Sequence, residues 1–143
     1  MNQFFMQQAI DIAAKSGDDI PVGAVIVYDN EIISKFHNEK EKRNDVTAHA
    51  EILALRDAAL RFGNWRLNGC DMYVTLEPCP MCAWAIMQSR IDNLYFGAYD
   101  VLYGAFSKFG DIYITDFSKL NYKGGIMEEE CNLILSQYFE RLR

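Results

Sequence analysis

The chain has 143 residues, half of them hydrophobic and 24% charged, a composition typical of a globular protein that buries a core without disulfides. Its 14 basic and 20 acidic residues give a formal net charge of −6, which argues against broad, sequence-independent nucleic-acid binding, because phosphate neutralisation needs clustered Lys and Arg. No apolar run reaches the roughly 20 residues of a membrane span, and the first residues lack the shape of a signal peptide. We therefore expect one domain over residues 1–143, a cytoplasmic location, no membrane contact and reduced cysteines.

The chain predicts alternating helices and strands. In chain order, the expected elements are an amphipathic helix ending at 16–19, a hairpin with strands over 22–28 and 31–37, a polar loop over 38–45, a helix from about 48 to 62, a strand over 70–76, a helix from Pro80 to about Arg90, a strand over 93–97 and a closing helix whose buried stripe is Cys131, Ile134, Leu135, Tyr138 and Leu142. The aromatic-rich stretch over 98–121 has no assignment from its pattern. Helices interleaved with strands after a hairpin predict an α/β fold, a three-layer α/β/α sandwich around a mixed sheet.

The most informative motif is Cys79-Pro80-Met81-Cys82, at the predicted start of a helix. Two cysteines spaced in this way can direct both sulfur atoms at one ion, and the positive end of the helix dipole favours the thiolate that binds metal. Redox pairs and closed structural zinc sites use the same spacing. Cys70 and Cys131 lie on apolar stripes of their own elements, so we expect them in the core and not as ligands.

His49 is the candidate third ligand, and Glu51 follows two residues later at the start of a predicted helix. Three protein ligands leave a fourth position for water, as in catalytic zinc sites. A carboxylate beside such a site can move protons between water and substrate. Alone, His49 would be interpreted as an ordinary core or surface histidine, but His-x-Glu followed by Pro-Cys-x-x-Cys is the signature of zinc deaminases.

With these motifs, the chain resembles the cytidine/deoxycytidylate deaminase superfamily, and most closely the bacterial tRNA-specific adenosine deaminases. The matching segments cover most of the chain to about Asp100 and return in the last helix; they include 21–25, Asn38, 47–52, 73–79, 81–83, 89–91 and 96–98. The zinc motif is typical of the whole superfamily. Two other segments are similar to the tRNA enzymes in particular: Thr75-Leu76-Glu77-Pro78-Cys79 and Ser89-Arg90-Ile91.

The resemblance implies a cytidine deaminase-like fold with a mixed five-stranded sheet, one Zn²⁺ per chain held by His49, Cys79 and Cys82, and proton transfer by Glu51. The implied reaction is hydrolytic attack at C6 of adenine, with loss of ammonia and formation of inosine at the wobble position of tRNA. The expected partners are a tRNA anticodon loop, whose unpaired bases can be splayed out, and a second copy of the chain in a homodimer.

The resemblance also implies two substrate contacts. Asn38 matches the asparagine that hydrogen-bonds the target base in such enzymes, and a turn-closing asparagine is a compatible alternative. Asp100 is the second expected contact.

Three departures from the family pattern concern the substrate and not the metal. Trp84 stands where the family usually has a small residue, a lysine-containing run after Asp100 is replaced by 101–108, and the stretch through 111–116 lacks the usual Asn-His pair. Together with the acidic charge, these departures leave open a deaminase of a free base or nucleoside, of the guanine or cytosine type. A non-catalytic zinc-binding module on the same fold is a further alternative, which the retention of Glu51 disfavours.

Two other groups of residues have ordinary structural explanations beside functional ones. A local basic face could form where four cations lie close together, although Glu39 and Glu41 dilute it; the four are Lys35, Lys40, Lys42 and Arg43. Five aromatic residues could stack on bases, but such clusters are more typical of a core or a dimer interface; they are Tyr99, Tyr103, Phe106, Phe109 and Tyr113.

Overall fold

The computed structural model describes residues 1–110 and 120–143, and its elements follow the predicted order. They are α1 (Gln3–Ala13), β1 (Gly23–Tyr28), β2 (Glu31–His37), α2 (Lys40–Arg43), α3 (Ala50–Phe62), β3 (Cys70–Leu76), α4 (Pro80–Gln88), β4 (Asn93–Ala98), α5 (Ala105–Phe109), β5 (Asn121–Lys123) and α6 (Glu128–Arg141). In the described ranges, no helix is both long and apolar enough to cross a membrane.

A five-stranded sheet in the order β2-β1-β3-β4-β5 forms the middle layer. β1 pairs antiparallel with β2 and β3, whereas β3, β4 and β5 run parallel. α3 and α4 bury one face of the sheet around Met72 and Phe96, and α1 and α6 bury the other around Met6 and Tyr73. This arrangement confirms the predicted three-layer α/β/α sandwich with a mixed five-stranded sheet.

The hairpin between β1 and β2 has the turn that its sequence predicts. Asp29 and Asn30 have positive φ angles of 51° and 64°, as a two-residue type I′ turn requires. Asn and Asp accept this conformation better than other non-glycine residues. The turn therefore sets the pairing of Tyr28 with Glu31, and the register shifts further along, between Ile26 and Val27.

One edge of the sheet gathers the segments that follow its parallel strands. Leu76, at the end of β3, pairs with Ala98, at the end of β4. The chain segments after these two strands therefore leave the sheet side by side. Because β1 is antiparallel to β3, its first residues lie at the same edge, with Ala24 opposite Val74.

The closing helix is less buried than its pattern predicts. Cys131 is buried, but the next three residues of the expected stripe are only half-buried, and Leu142 is 67% exposed. The helix approaches the sheet most closely at its first turn, where a Cβ on Gly97 would overlap the sulfur of Cys131. The prediction that Leu142 is buried is therefore wrong.

Three short elements were not predicted, because each is shorter than the window that a periodic pattern needs. α2 lies inside the expected polar loop, α5 lies in the unassigned aromatic stretch, and β5 begins at the last residue of that stretch. The stretch 111–116, which includes Tyr113, lies outside the described residues. Cys70 and Cys131 are free thiols in the core, as expected.

We expect Gly23→Ala to destabilise the fold, because a Cβ on Gly23 would overlap the carbonyl oxygen of Ala9 in α1. Overpacking of this kind costs about 1–3 kcal/mol, and the free energy of unfolding, measured by urea denaturation, should fall by that amount. An unchanged denaturation midpoint would contradict the close approach of α1 to β1.

Candidate metal centre and cavity

His49 lies where the chain enters α3. Its backbone is extended, with φ −73° and ψ 151°, and the helix begins at the next residue. On a continuous helix, the side chains of His49 and Glu51 would point about 200° apart. Because His49 precedes the helix, the two side chains can face the same space, and both line one cavity.

Cys79 and Cys82 lie at the start of α4. Cys79 has an extended backbone, with φ −72° and ψ 170°, and Pro80 occupies the first helical position, where the helix does not use an N–H. The carbonyl of Cys79 accepts the N–H of Ala83 at 2.8 Å. This bond closes the first turn, which brings Cys82 back towards Cys79.

The three predicted ligand atoms converge, and they all lie within 4.8 Å of one another. Nδ1 of His49 is 3.4 Å from Sγ of Cys82 and 3.8 Å from Sγ of Cys79. A tetrahedral zinc ion, with Zn–N of about 2.0 Å and Zn–S of about 2.3 Å, separates such ligand atoms by roughly 3.5 Å. The nitrogen–sulfur separations therefore fit one zinc ion, as predicted.

The two thiols differ in their acidity. The hydrogen bond from the Cys82 thiol lowers the pKa of Cys79 to about 4, and His49 contributes in the same direction. The same hydrogen bond, together with burial, raises the pKa of Cys82. The hydrogen bond with Cys79 also raises the pKa of His49. Cys79 is therefore a thiolate at neutral pH, which is the form that binds zinc.

Glu51 lies in the first turn of α3 and is 4% exposed. Burial raises the pKa of its carboxyl group to about 7, and the group also contacts the thiol of Cys82. An acid whose pKa lies near the working pH is the most effective proton donor and acceptor. The structure thus places a suitable carboxyl group beside the ligands.

Asn38 uses its side chain to join two segments of backbone. Its Nδ2 donates to the carbonyl of Ile20 at 2.9 Å, and its Oδ1 accepts the N–H of Ala50 at 2.9 Å. Ala50 is the first residue of α3, so these bonds fix the helix start immediately after His49. Asn38 also lines the cavity, so the expected turn role and a contact with substrate remain compatible.

A cavity of about 390 Å³ opens over the predicted ligands. Its lining combines apolar side chains, convergent polar groups and both predicted substrate contacts: Ile20, Val22, Asn38, Lys40, His49, Glu51, Leu76, Glu77, Cys79, Pro80, Asp100 and Tyr103. Oδ1 of Asp100 accepts the backbone N–H groups of Leu102 and Tyr103, at 3.2 and 3.0 Å. Part of its hydrogen-bonding capacity therefore holds the turn that follows.

Trp84 lies outside the cavity, whereas the basic cluster reaches it through Lys40. Trp84 is 41% exposed and is not among the residues that line the cavity. In the basic cluster, Glu39 accepts from Arg43 at 2.6 Å and from Lys42 at 3.4 Å, so two of its four cations are paired with this acid.

The aromatic residues divide between core and surface. Phe106 is buried and stacks on Tyr122, with ring centroids 4.0 Å apart, and Tyr99 packs edge-to-face on Phe96. Tyr103, in contrast, is 70% exposed and lines the cavity. The core interpretation therefore holds for Phe106 but not for Tyr103.

Sequence patterns assign Glu77 no role of its own, and they place Tyr103 only in a group of five aromatic residues that could stack on bases or pack in a core or interface. Glu77 belongs to the motif Thr75-Leu76-Glu77-Pro78-Cys79. An acid between a buried strand and a metal ligand indicates a carboxyl group that has hydrogen-bond partners in the interior. Tyr103 could be found only from the fold, because nothing in its local pattern separates it from the neighbouring aromatic residues.

Comparison with known proteins agrees with this geometry. Residues 1–98 match the cytidine and deoxycytidylate deaminase zinc-binding region. The chain is 38% identical to the tRNA-specific adenosine deaminase of Bacillus subtilis, over 99% of the chain and 91% of the relative.

Solved structures with the same fold include two of particular interest. One, from a study of A-to-I editing by tRNA:A34 deaminases at the wobble position, has a TM-score of 0.87 and 40% identity, covering 94% of this chain and all of its own. The other is a guanine deaminase from Bacillus subtilis, with a TM-score of 0.67 and 39% identity over 69% of this chain and 66% of its own.

We expect purified wild-type chain to carry one zinc ion and Cys82→Ala to carry almost none, because two ligands cannot hold the ion in a tetrahedral site. Cys70→Ala is the matched control, since it removes a buried thiol that is not a ligand. Zinc per chain is measured by atomic emission. Stoichiometric zinc in Cys82→Ala, or its loss in Cys70→Ala, would contradict the ligand assignment.

Proposed function

Because the chain belongs to the cytidine and deoxycytidylate deaminase family, we propose that it is a zinc-dependent hydrolase that converts adenosine to inosine at the wobble position of tRNA. The observation that carries the chemistry is the convergence of three ligand atoms and a buried carboxyl group on one cavity. The substrate assignment is supported by similarity to tRNA-specific adenosine deaminases over nearly the whole chain.

His49, Cys79 and Cys82 would hold the zinc ion through one nitrogen and two sulfur atoms. When bound there, zinc makes hydroxide available from water near neutral pH. The three residues leave room on the cavity side for a fourth group, which is the arrangement of catalytic and not structural zinc sites.

Glu51 would move the protons of the reaction. Its carboxylate takes a proton from the attacking water as the water oxygen bonds to C6 of adenine. It delivers that proton to N1 as the C6=N1 double bond opens. The same group then carries the proton of the new C6 hydroxyl to the amino nitrogen, so that the C6–N bond breaks, ammonia leaves and the C6 carbonyl of inosine forms. A pKa of about 7 lets the same group perform both transfers.

The cavity would hold the target base once that base has left its stack. Ile20, Val22 and Leu76 supply apolar walls for a planar ring, and Asn38 and Asp100 supply polar contacts at its edges. Apolar walls with a few convergent polar groups are typical of small-molecule sites. Asn38 would act in two ways, since it also fixes the start of α3.

A deaminase of a free purine such as guanine is the second candidate. It is favoured by the 39% identity to a guanine deaminase structure, by the net charge of −6 and by the absence of the expected lysine after Asp100. A non-catalytic zinc module is disfavoured, because a structural site has no need of the buried acid at Glu51.

We expect Glu51→Gln to keep its zinc and to lose about 10²- to 10⁴-fold in kcat on an anticodon stem-loop, which is the range that general acid–base catalysis supplies. Inosine formation is measured on the stem-loop, and ammonia release is measured on free guanine, cytosine and adenosine. Zinc content is measured on the same preparations.

The substrates separate the alternatives. Turnover of free bases without turnover of the stem-loop would contradict the tRNA assignment in favour of the second candidate. Turnover of no substrate by zinc-loaded wild type would favour the non-catalytic module. An active Glu51→Gln would contradict the proton-transfer role.

We also propose that the chain acts as a cytoplasmic homodimer. A groove between α3 and α4 is lined mainly by apolar side chains: Ile52, Leu55, Ala59, Trp65, Leu67 and Ala85. Trp65 and Trp84 are 53% and 41% exposed near these helices. Exposed apolar surface of this kind is typical of interaction sites, and a second copy of the chain would cover it.

We expect Ala59→Glu to convert the dimer to monomer, because a charge in the groove would be desolvated on association. Leu60→Glu is the matched control, since Leu60 is the next residue of α3 but is 83% exposed and outside the groove. The mass of both variants is measured by analytical ultracentrifugation. A monomeric wild type, or equal dissociation of both variants, would contradict this interface.

A further inference from the structure

Glu77 is a buried acid that the proposed proton transfer does not use. It follows β3 directly, two residues before Cys79, and is 2% exposed. Its Oε1 accepts the N–H of Asp100 at 3.0 Å and the hydroxyl of Ser107 at 2.5 Å. Its Oε2 accepts the N–H of Ser107 at 2.7 Å. Three donors from one segment of chain therefore converge on this carboxyl group.

These bonds join the segment 100–107 to the loop that carries Cys79. The loop and the segment also meet through backbone bonds, from the N–H of Ala105 to the carbonyl of Pro78 at 2.9 Å and from the N–H of Glu77 to the carbonyl of Ala98 at 2.8 Å. The backbone bonds hold the loop itself. The side chain of Glu77 therefore acts mainly on the segment 100–107.

Gly104 leaves the space that the carboxyl group occupies. A Cβ on Gly104 would overlap the carboxyl carbon of Glu77 and the carbonyl oxygen of Asp100. Its φ of −69° is accessible to every residue, so close approach and not backbone conformation explains the glycine. Glu77 and Gly104 thus form one packing unit.

The segment that this unit holds forms the rim of the cavity. Asp100 and Tyr103 line it, and Asp100 closes the turn between them. The tip of the turn is apolar, since Val101, Leu102 and Tyr103 are 74%, 67% and 70% exposed. An exposed aromatic ring at the mouth of a base-binding cavity is a stacking surface for an unpaired base.

We propose that Glu77 is a positioning residue for substrate binding, which holds the turn 100–103 so that Tyr103 stacks on an unpaired RNA base next to the target adenine. This inference rests on the proposed function. In this arrangement, the rim contacts the substrate through a base face instead of a phosphate. That mode of contact accords with the absence of a basic residue from residues 100–107.

The test compares Glu77→Gln, Gly104→Ala and Tyr103→Ala on an anticodon stem-loop and on free adenosine. Glutamine replaces one acceptor oxygen with an NH₂ group that faces another donor, and alanine at 104 displaces the carboxyl group by its Cβ. For each variant, we expect KM for the stem-loop to rise about tenfold, which corresponds to about 1.4 kcal/mol of lost binding. We expect zinc content to stay at the wild-type value and kcat to change much less than KM. KM for free adenosine, which lacks the neighbouring base, should change less than KM for the stem-loop.

Two controls separate positioning from general stability. Tyr103→Phe keeps the ring and should retain the wild-type KM, because stacking needs no hydroxyl. Glu140→Gln removes the same charge from an exposed position in α6 and should also behave as wild type.

The outcomes are distinct. Wild-type KM in Tyr103→Ala, or loss of zinc or kcat with unchanged KM in Glu77→Gln, would overturn the positioning role. A wild-type chain that deaminates no stem-loop would overturn the proposed function, and this inference with it. A rise in KM for the stem-loop in all three variants, with zinc retained, supports the inference.

Discussion

The starts of two helices must meet at one edge of the sheet, and the site depends on this constraint. His49 precedes α3 and Cys79 precedes α4, both with extended backbone. Neither side chain is therefore fixed by a helical repeat, and both can turn towards a common point. Asn38 holds the start of α3 through the N–H of Ala50, while Pro80 begins α4. Small displacements of either start would separate ligand atoms that now lie within 4.8 Å of one another.

The buried acid Glu51 and the cavity lie at the same edge of the sheet. Enclosing Glu51 behind the ligands removes its carboxyl group from water, and burial raises its pKa to about 7. The parallel pairing of β3 with β4 ends at Leu76 and Ala98, so the loop with Cys79 and the turn with Tyr103 leave the sheet together. The loop that carries Cys79 and the turn that forms the cavity rim thus follow adjacent strands, and Glu77 joins them.

The local features of the fold and of the site were predictable from the sequence. β-Branched runs and the Asp29-Asn30 turn indicate the hairpin, and the motif spacing indicates all three ligands and Glu51. The features that the sequence did not predict depend on contacts between residues far apart in the chain or on very short elements. β5 has three residues, too few for a periodic signal, and the exposure of Leu142 depends on where α6 leaves the sheet. The partners of Glu77 lie 23 and 30 residues away, so only the fold reveals them.

The zinc ligands proposed for this chain are one nitrogen of His49 and the sulfur atoms of Cys79 and Cys82. X-ray absorption at the zinc edge of the purified chain measures these ligands directly. This ligand set predicts two sulfur atoms at about 2.3 Å and the remaining ligands as nitrogen or oxygen at about 2.0 Å. A shell of three or four sulfur atoms would contradict it, because Cys70 or Cys131 would then have to leave the core to reach the metal.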